Sequence, residues 1–146
     1  MFPIKRTYLT EINLGGAPAV GQQIYFGDYA AVRGAIIYGI MAGDNSILAK
    51  SPSNNTVVSL LTGLTLTLVQ DPSLQRIYNY PIFDLNPANS GGFYRTFEPF
   101  PLNLVKSYIT ITDATSLNAN ESVLFNILYC LPDDLKKTTK QTTSKR

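Results

Sequence analysis

Histidine is absent from all 146 residues. The usual general base, the usual metal ligand and the physiological-pH switch are therefore missing. Ser-His-Asp, Cys-His and histidine–zinc chemistry are excluded, leaving an enzyme only carboxylate or lysine chemistry. Tryptophan is absent too, and there is one cysteine, so no disulfide can form within the chain. Cys130 sits in an apolar run and reads as a buried structural thiol. Charge is also scarce. Asp, Glu, Lys and Arg make up 15% of the chain, against about 25% in ordinary soluble domains. That deficit favours a surface partly covered by neighbours, with a Thr/Asn/Ser surface as the alternative. No run approaches the ~20 apolar residues of a membrane span. The longest, Ala35 to Ala42, is strand-length. Met1 to Thr10 contains Pro3, Lys5 and Arg6 and does not read as a secretory signal. The Asn-x-Ser/Thr patterns at Asn54 and Asn120 then read as chance.

What the chain does have is strand after strand. Its length suits one domain with a core large enough to need no staple. The stretch from Leu102 to Leu131 organises the rest. Two apolar, β-branched and aromatic runs flank a polar link, the pattern of two strands joined by a loop. In the second run Val123, Phe125, Ile127, Tyr129 and Leu131 share one face. Leu124, Leu128 and Cys130 share the other. A strand apolar on both faces is an interior strand with cover on each side.

Earlier strands are expected at Ile4 to Ile12, Val20 to Phe26, Ala31 to Met41, Thr56 to Leu61 and Leu64 to Gln70. Two more follow at Arg76 to Leu85 and Phe93 to Phe97. Gly34 and Gly39 suggest a bulge or a close backbone approach in the third. Leu64, Leu66 and Leu68 alternate with Thr65 and Thr67 in the clearest period-two pattern of the chain. Pro81 marks an edge strand or a kink. No convincing helix and no internal repeat appears. Eight to ten short strands with frequent turn signals predict an all-β, antiparallel β-sandwich. An eight-stranded single jelly roll suits the length, with an immunoglobulin-like sandwich as the other candidate.

Residues 1–135 read as this domain and residues 136–146 as an extended basic C-terminal tail, KKTTKQTTSKR. The tail holds five of the twelve basic residues and none of the ten acidic ones, so it carries +5 on a body of −3. Nothing apolar in it can offset the entropy of ordering. Lys136, Lys137, Lys140, Lys145 and Arg146 are therefore candidate partner-binding residues. They suit phosphate groups, anionic lipid headgroups or an acidic protein surface. A solvated, solubilising end is the alternative. No aromatic residue interleaves the cations, so nucleic-acid contact would be to phosphate.

Other candidates are weaker. Asp84, Asn86 and Asn89 offer oxygen ligands but match no EF-hand spacing. Asp133 and Asp134 lack a partner base. Gly15-Gly16 and Gly91-Gly92 fit no phosphate-binding pattern and read as turns. Phe93, Tyr94, Phe97 and Phe100 read as core or interface before a sugar or peptide site. No catalytic residue, metal ligand or cofactor is assigned. The loops Ala42 to Asn55 and Asn86 to Gly92 are candidate contacts with neighbours.

The stretch from Tyr80 to Tyr129 resembles the small single jelly-roll virion proteins of tailless icosahedral bacteriophages. It is most similar to the vertex (penton) proteins of phages with an internal membrane. The resemblance rests on strand spacing and on SYITITDAT…SVLFNILY, read as a hairpin. It implies a structural capsid protein without enzymatic activity, made in the host cytoplasm and built into the virion. Implied partners are copies of itself in a pentamer, the major capsid protein and a spike. The tail would touch genome, lipid headgroups or acidic shell surface. A carbohydrate- or receptor-binding jelly roll, as a decoration or spike-associated module, is the alternative.

Overall fold

The computed structural model describes residues 5–43, 59–86, 94–115 and 117–133, with the backbone alone at 59 and 60. Within them eight strands form two antiparallel four-stranded sheets. These are β1 (Arg6–Asn13), β2 (Gln23–Tyr25), β3 (Ile36–Gly43), β4 (Leu64–Gln70), β5 (Leu74–Pro81), β6 (Arg95–Pro101), β7 (Tyr108–Ile111) and β8 (Ser122–Cys130). One sheet has the order β1-β8-β3-β6 and the other β2-β7-β4-β5. The chain is thus the all-β sandwich that its periodicity predicts. Short 3₁₀ turns at Ala30–Val32, Ser59–Gly63, Ile82–Leu85 and Leu104–Lys106 bridge the strands.

β8 is an interior strand, paired with β1 through Arg6↔Tyr129 to Asn13↔Ser122 and with β3 through Ile36↔Cys130 to Gly43↔Leu124. Its phase is as expected. Val123, Phe125, Ile127 and Tyr129 belong to the main core, where the Phe125 ring meets Phe26 edge-on at 5.1 Å. On the opposite face Leu124, Asn126 and Cys130 are buried as well, and Met41, Leu124 and Tyr94 form a second small cluster. Burial on both faces is reached within one chain.

The two halves of Leu102 to Leu131 do not form a hairpin. β7 pairs with β2 and β4, and β8 lies in the other sheet. The reason is geometric. Ile109 and Ile111 face the same core as Phe125 and Ile127, and two apolar strands can share a core by facing each other across it. The link between them therefore arches over the end of the sandwich. It is pinned there by Leu14 N–H donating to Glu121 O (2.8 Å) and Asn120 N–H to Gly15 O (2.7 Å).

Several boundaries also differ from the sequence reading. Ser59–Gly63 is 3₁₀ rather than the end of a strand Thr56 to Leu61, whose residues 56–58 lie outside the described residues. The Gly63 carbonyl accepts from Thr112 N–H (2.8 Å) and Asp113 N–H (3.2 Å). A Cβ at Gly63 would overlap the Asp113 carbonyl oxygen, so the close approach needs glycine. The third strand begins at Ile36, after the turn at Ala30–Val32, and the strand after Arg76 stops at Pro81, where Ile82–Leu85 turns in and buries Ile82 and Leu85. β6 starts later than Phe93 and continues through Pro99 and Pro101. It tolerates both because it is an edge strand with one side free of ladder bonds. The expected bulge at Gly39 is present as a register shift between Ile37 and Gly39, where a Cβ would stand 3.0 Å from Arg95 O.

Because Phe125 is fully buried at the centre of the interior strand, Phe125→Ala is expected to cost ~3–5 kcal/mol. Urea unfolding measures it, and a loss below about 1 kcal/mol would remove Phe125 from the core.

Candidate functional site

The candidate partner residues Lys136, Lys137, Lys140, Lys145 and Arg146 lie outside the described residues, as do Asn89, Phe93, Asp134, residues 44–58 and residues 87–93. Of the candidate oxygen ligands Asp84, Asn86 and Asn89, the first two are described. Asp84 lies in the 3₁₀ turn, while Asn86 is buried and its amide donates to Ala42 O at 3.3 Å. Among the described residues no three His, Cys, Asp or Glu side chains come together. The aromatic set is divided. Phe97 and Phe100 stack at 5.6 Å beside the main core, whereas Tyr94 packs on Met41 and Leu124 on the far side of the sheet. The described members make no single ligand platform and are packing groups, as the sequence suggests.

Cys130 is fully buried, and its Sγ–H donates to the Tyr38 hydroxyl at 3.6 Å. The Tyr38 phenol is pushed up to about 12, first by burial and then by the hydrogen bond and charge of Cys130. Lys5 sits over the same ring, 4.9 Å from its centroid. A thiol with no solvent access is a packing group and not a nucleophile.

One end of the sandwich carries a mixed polar and apolar cleft of about 280 Å³ between the β2–β3 and β6–β7 connections. Its polar groups already have partners. Arg33 donates to both carboxylate oxygens of Asp28, at 3.2 and 2.9 Å. Asn103 donates to Asp71 Oδ1 (3.4 Å) and Pro72 O (3.0 Å), and accepts from Lys106 N–H (3.3 Å). The exposed Arg33–Asp28 pair contributes ~0–1 kcal/mol. These contacts hold the loops in place and leave few groups for a ligand.

A candidate interaction surface is the outer face of the sheet β2-β7-β4-β5. Ile24, Ile109, Ile111, Leu64, Leu66 and Leu68 face the core. The alternate positions are Gln23, Tyr25, Tyr108, Thr110, Thr65, Thr67, Val69 and Gln75. None of these is charged. Tyr25 leans on Tyr108 with centroids 5.1 Å apart, and Gln75 Nε2 donates to the Tyr108 hydroxyl at 3.3 Å. The face thus forms a cross-linked layer of rings and amides. Tyr25 and Tyr78 stay more than half exposed at 53% and 63%. Tyrosine enrichment with charge depletion is the composition of a protein–protein interface. Sequence reasoning missed this face, although the alternation of threonine with leucine in β4 already marks its outward row.

Family models, curated proteins and solved structures were all compared with this chain, and none matches it.

The raised Tyr38 phenol sets an alkaline limit. A phenol that holds its proton more tightly when folded adds stability below its unfolded value of 10.0, and the contribution is lost as pH rises towards about 12. Tyr38→Phe removes that loss. Its melting temperature is therefore expected to fall less steeply between these two pH values than the parent's. Parallel thermal melts test this, and identical slopes would place Tyr38 in solvent.

Proposed function

We propose that this chain is a structural virion subunit of a tailless icosahedral phage, in the role of a vertex (penton) protein, with its sandwich an eight-stranded jelly roll. The pairing pattern supports the jelly roll. β1 pairs with β8, β2 with β7, β3 with β6 and β4 with β5. That is the pairing of one long antiparallel hairpin, its two arms running side by side from the β4–β5 turn. Rolling such a hairpin into two layers sends successive strands to alternate sheets, except at the turn, which yields the order seen here.

Fold alone does not give function. The observation that carries a subunit role is the uncharged, tyrosine-rich outer face of β2-β7-β4-β5. A freely soluble monomer normally keeps such a face charged. A subunit packed among neighbours has no need to, and burying that face against them removes apolar ring area from water at ~25 cal/mol per Å². The basic tail complements it. Lys136, Lys137, Lys140, Lys145 and Arg146 add charge without an apolar anchor, so their attachment to an acidic shell surface, lipid headgroups or genome would weaken with salt.

A mass-spectrometric inventory of purified particles, with copy number relative to the major shell protein, tests the role. Vertex stoichiometry supports it, and absence from particles overturns it. A chain ending at Leu135 is expected to fold with unchanged stability and to incorporate poorly, or to dissociate at lower salt. Normal assembly at every salt concentration would reduce the tail to a solubilising end. In the assembled protein each contact between copies is expected to bury more than ~1,000 Å².

A further inference from the structure

On the side where edge strands β5 and β6 face each other the sheets meet at one end, where Arg76 lies over the Phe100 ring at 5.5 Å and Gln70 bridges Leu102, and they part beyond it. Register irregularities explain the gap. β5 shifts against β4 between Leu66 and Leu68 and again between Leu68 and Val69, with Asn79 at φ 51° inside the first shift. β6 shifts against β3 between Ile37 and Gly39, where three β6 residues stand opposite Tyr38. Each bulge adds residues to an edge strand and bends it away from its neighbour. The result is a slot of about 320 Å³. Ile40, Leu66 and Leu85, all buried core residues, form its floor, while Ile77, Tyr80 and Phe97 form its walls. Arg95, paired in register with Ile40, lines the same slot and is solvent-exposed. It makes no hydrogen bond or ion pair with any described residue.

An apolar slot at the small end of the ligand-pocket range, with one guanidinium unpaired among the described residues, suits a molecule with an apolar body and an anionic head. From this geometry we infer that the slot between β5 and β6 binds a single-chain amphiphile with a carboxylate head, a free medium-chain fatty acid. The chain replaces water over Ile40, Leu66 and Leu85. The carboxylate takes the paired N–H donors of Arg95, a fork that fits two oxygens. A neutral head leaves the guanidinium without a counter-charge, and a cationic head is repelled. The inference is independent of the virion role, since it rests on the slot alone.

Calorimetric titration of the full chain with decanoate, decanol and decyltrimethylammonium, each below its micelle concentration, tests it. Decanoate is expected to bind saturably with one site per chain. Decanol is expected to bind about tenfold more weakly, and decyltrimethylammonium not at all. Arg95→Gln should bring decanoate down to the decanol level. Arg95→Glu should reverse the preference in favour of decyltrimethylammonium. The substituted position is exposed, so the fold survives both changes, as an unaltered thermal melt would show. Absence of saturable decanoate binding overturns the inference, as does decanoate affinity unchanged in both variants. Co-sedimentation with phosphatidylglycerol vesicles that is lost in Arg95→Gln would assign the slot to bilayer lipid and overturn the free-acid form.

Discussion

Everything in this fold leans on the interior position of β8. Its nine residues make ladder bonds to β1 on one side and β3 on the other, and it is apolar on both faces. The inner face supplies Phe125, about which the core closes. The outer face, through Leu124 and Cys130, packs on Met41 and Tyr38 of the neighbouring β3 and on Tyr94. A charge on either face would be buried without a partner, at a cost of several kcal/mol. This is why the strand carries none and why only Ser122 and Asn126 interrupt it.

The second consequence concerns the connections. Strands that share a core from opposite sheets must be joined by arches, and arches need backbone partners at the sandwich ends. One end is closed by Leu14, Gly15, Gly21 and Gly63 bonding to the segments around β7 and β8. The other is closed by Asp71, Leu102 and Asn103. At the first end only glycine allows the 3₁₀ turn at Gly63 to meet Asp113. The polar side chains at the second end, Asp28, Arg33 and Asn103, are spent on loop geometry. Among the described residues the ends of the sandwich are therefore braced, and the proposed recognition surfaces are its uncharged outer face and the slot between β5 and β6.

Much of the fold was legible in the sequence. Leu64, Leu66 and Leu68 alternating with threonines define β4 to its last residue, and the two-faced run from Ser122 defines β8 as interior. Pro81 correctly signalled an edge strand. Cys130, in an apolar run, is the buried thiol its setting suggested. These features are local, because a period of two and a missing N–H act within one strand. The reading of Phe97 and Phe100 as packing groups also holds, since both lie in or against the main core. Nearness along the chain said nothing about which cluster each ring would join, and Tyr94 went to the other face of the sheet, onto Met41 and Leu124.

The existence of most strands, the inner and outer phase of β4 and β8, and the all-basic character of the tail were determined by the sequence alone, since each depends on residue type and its spacing. Partnership was decided only by the tertiary structure. Whether β7 joins β8 in a hairpin or faces it across the core depends on long-range burial. The same apolar phase satisfies both arrangements, and the sum of all core contacts selects the second. The slot beside Arg95 arises in the same way. It exists because two bulged edges from different sheets come to lie opposite each other, a relation carried by no short stretch of chain.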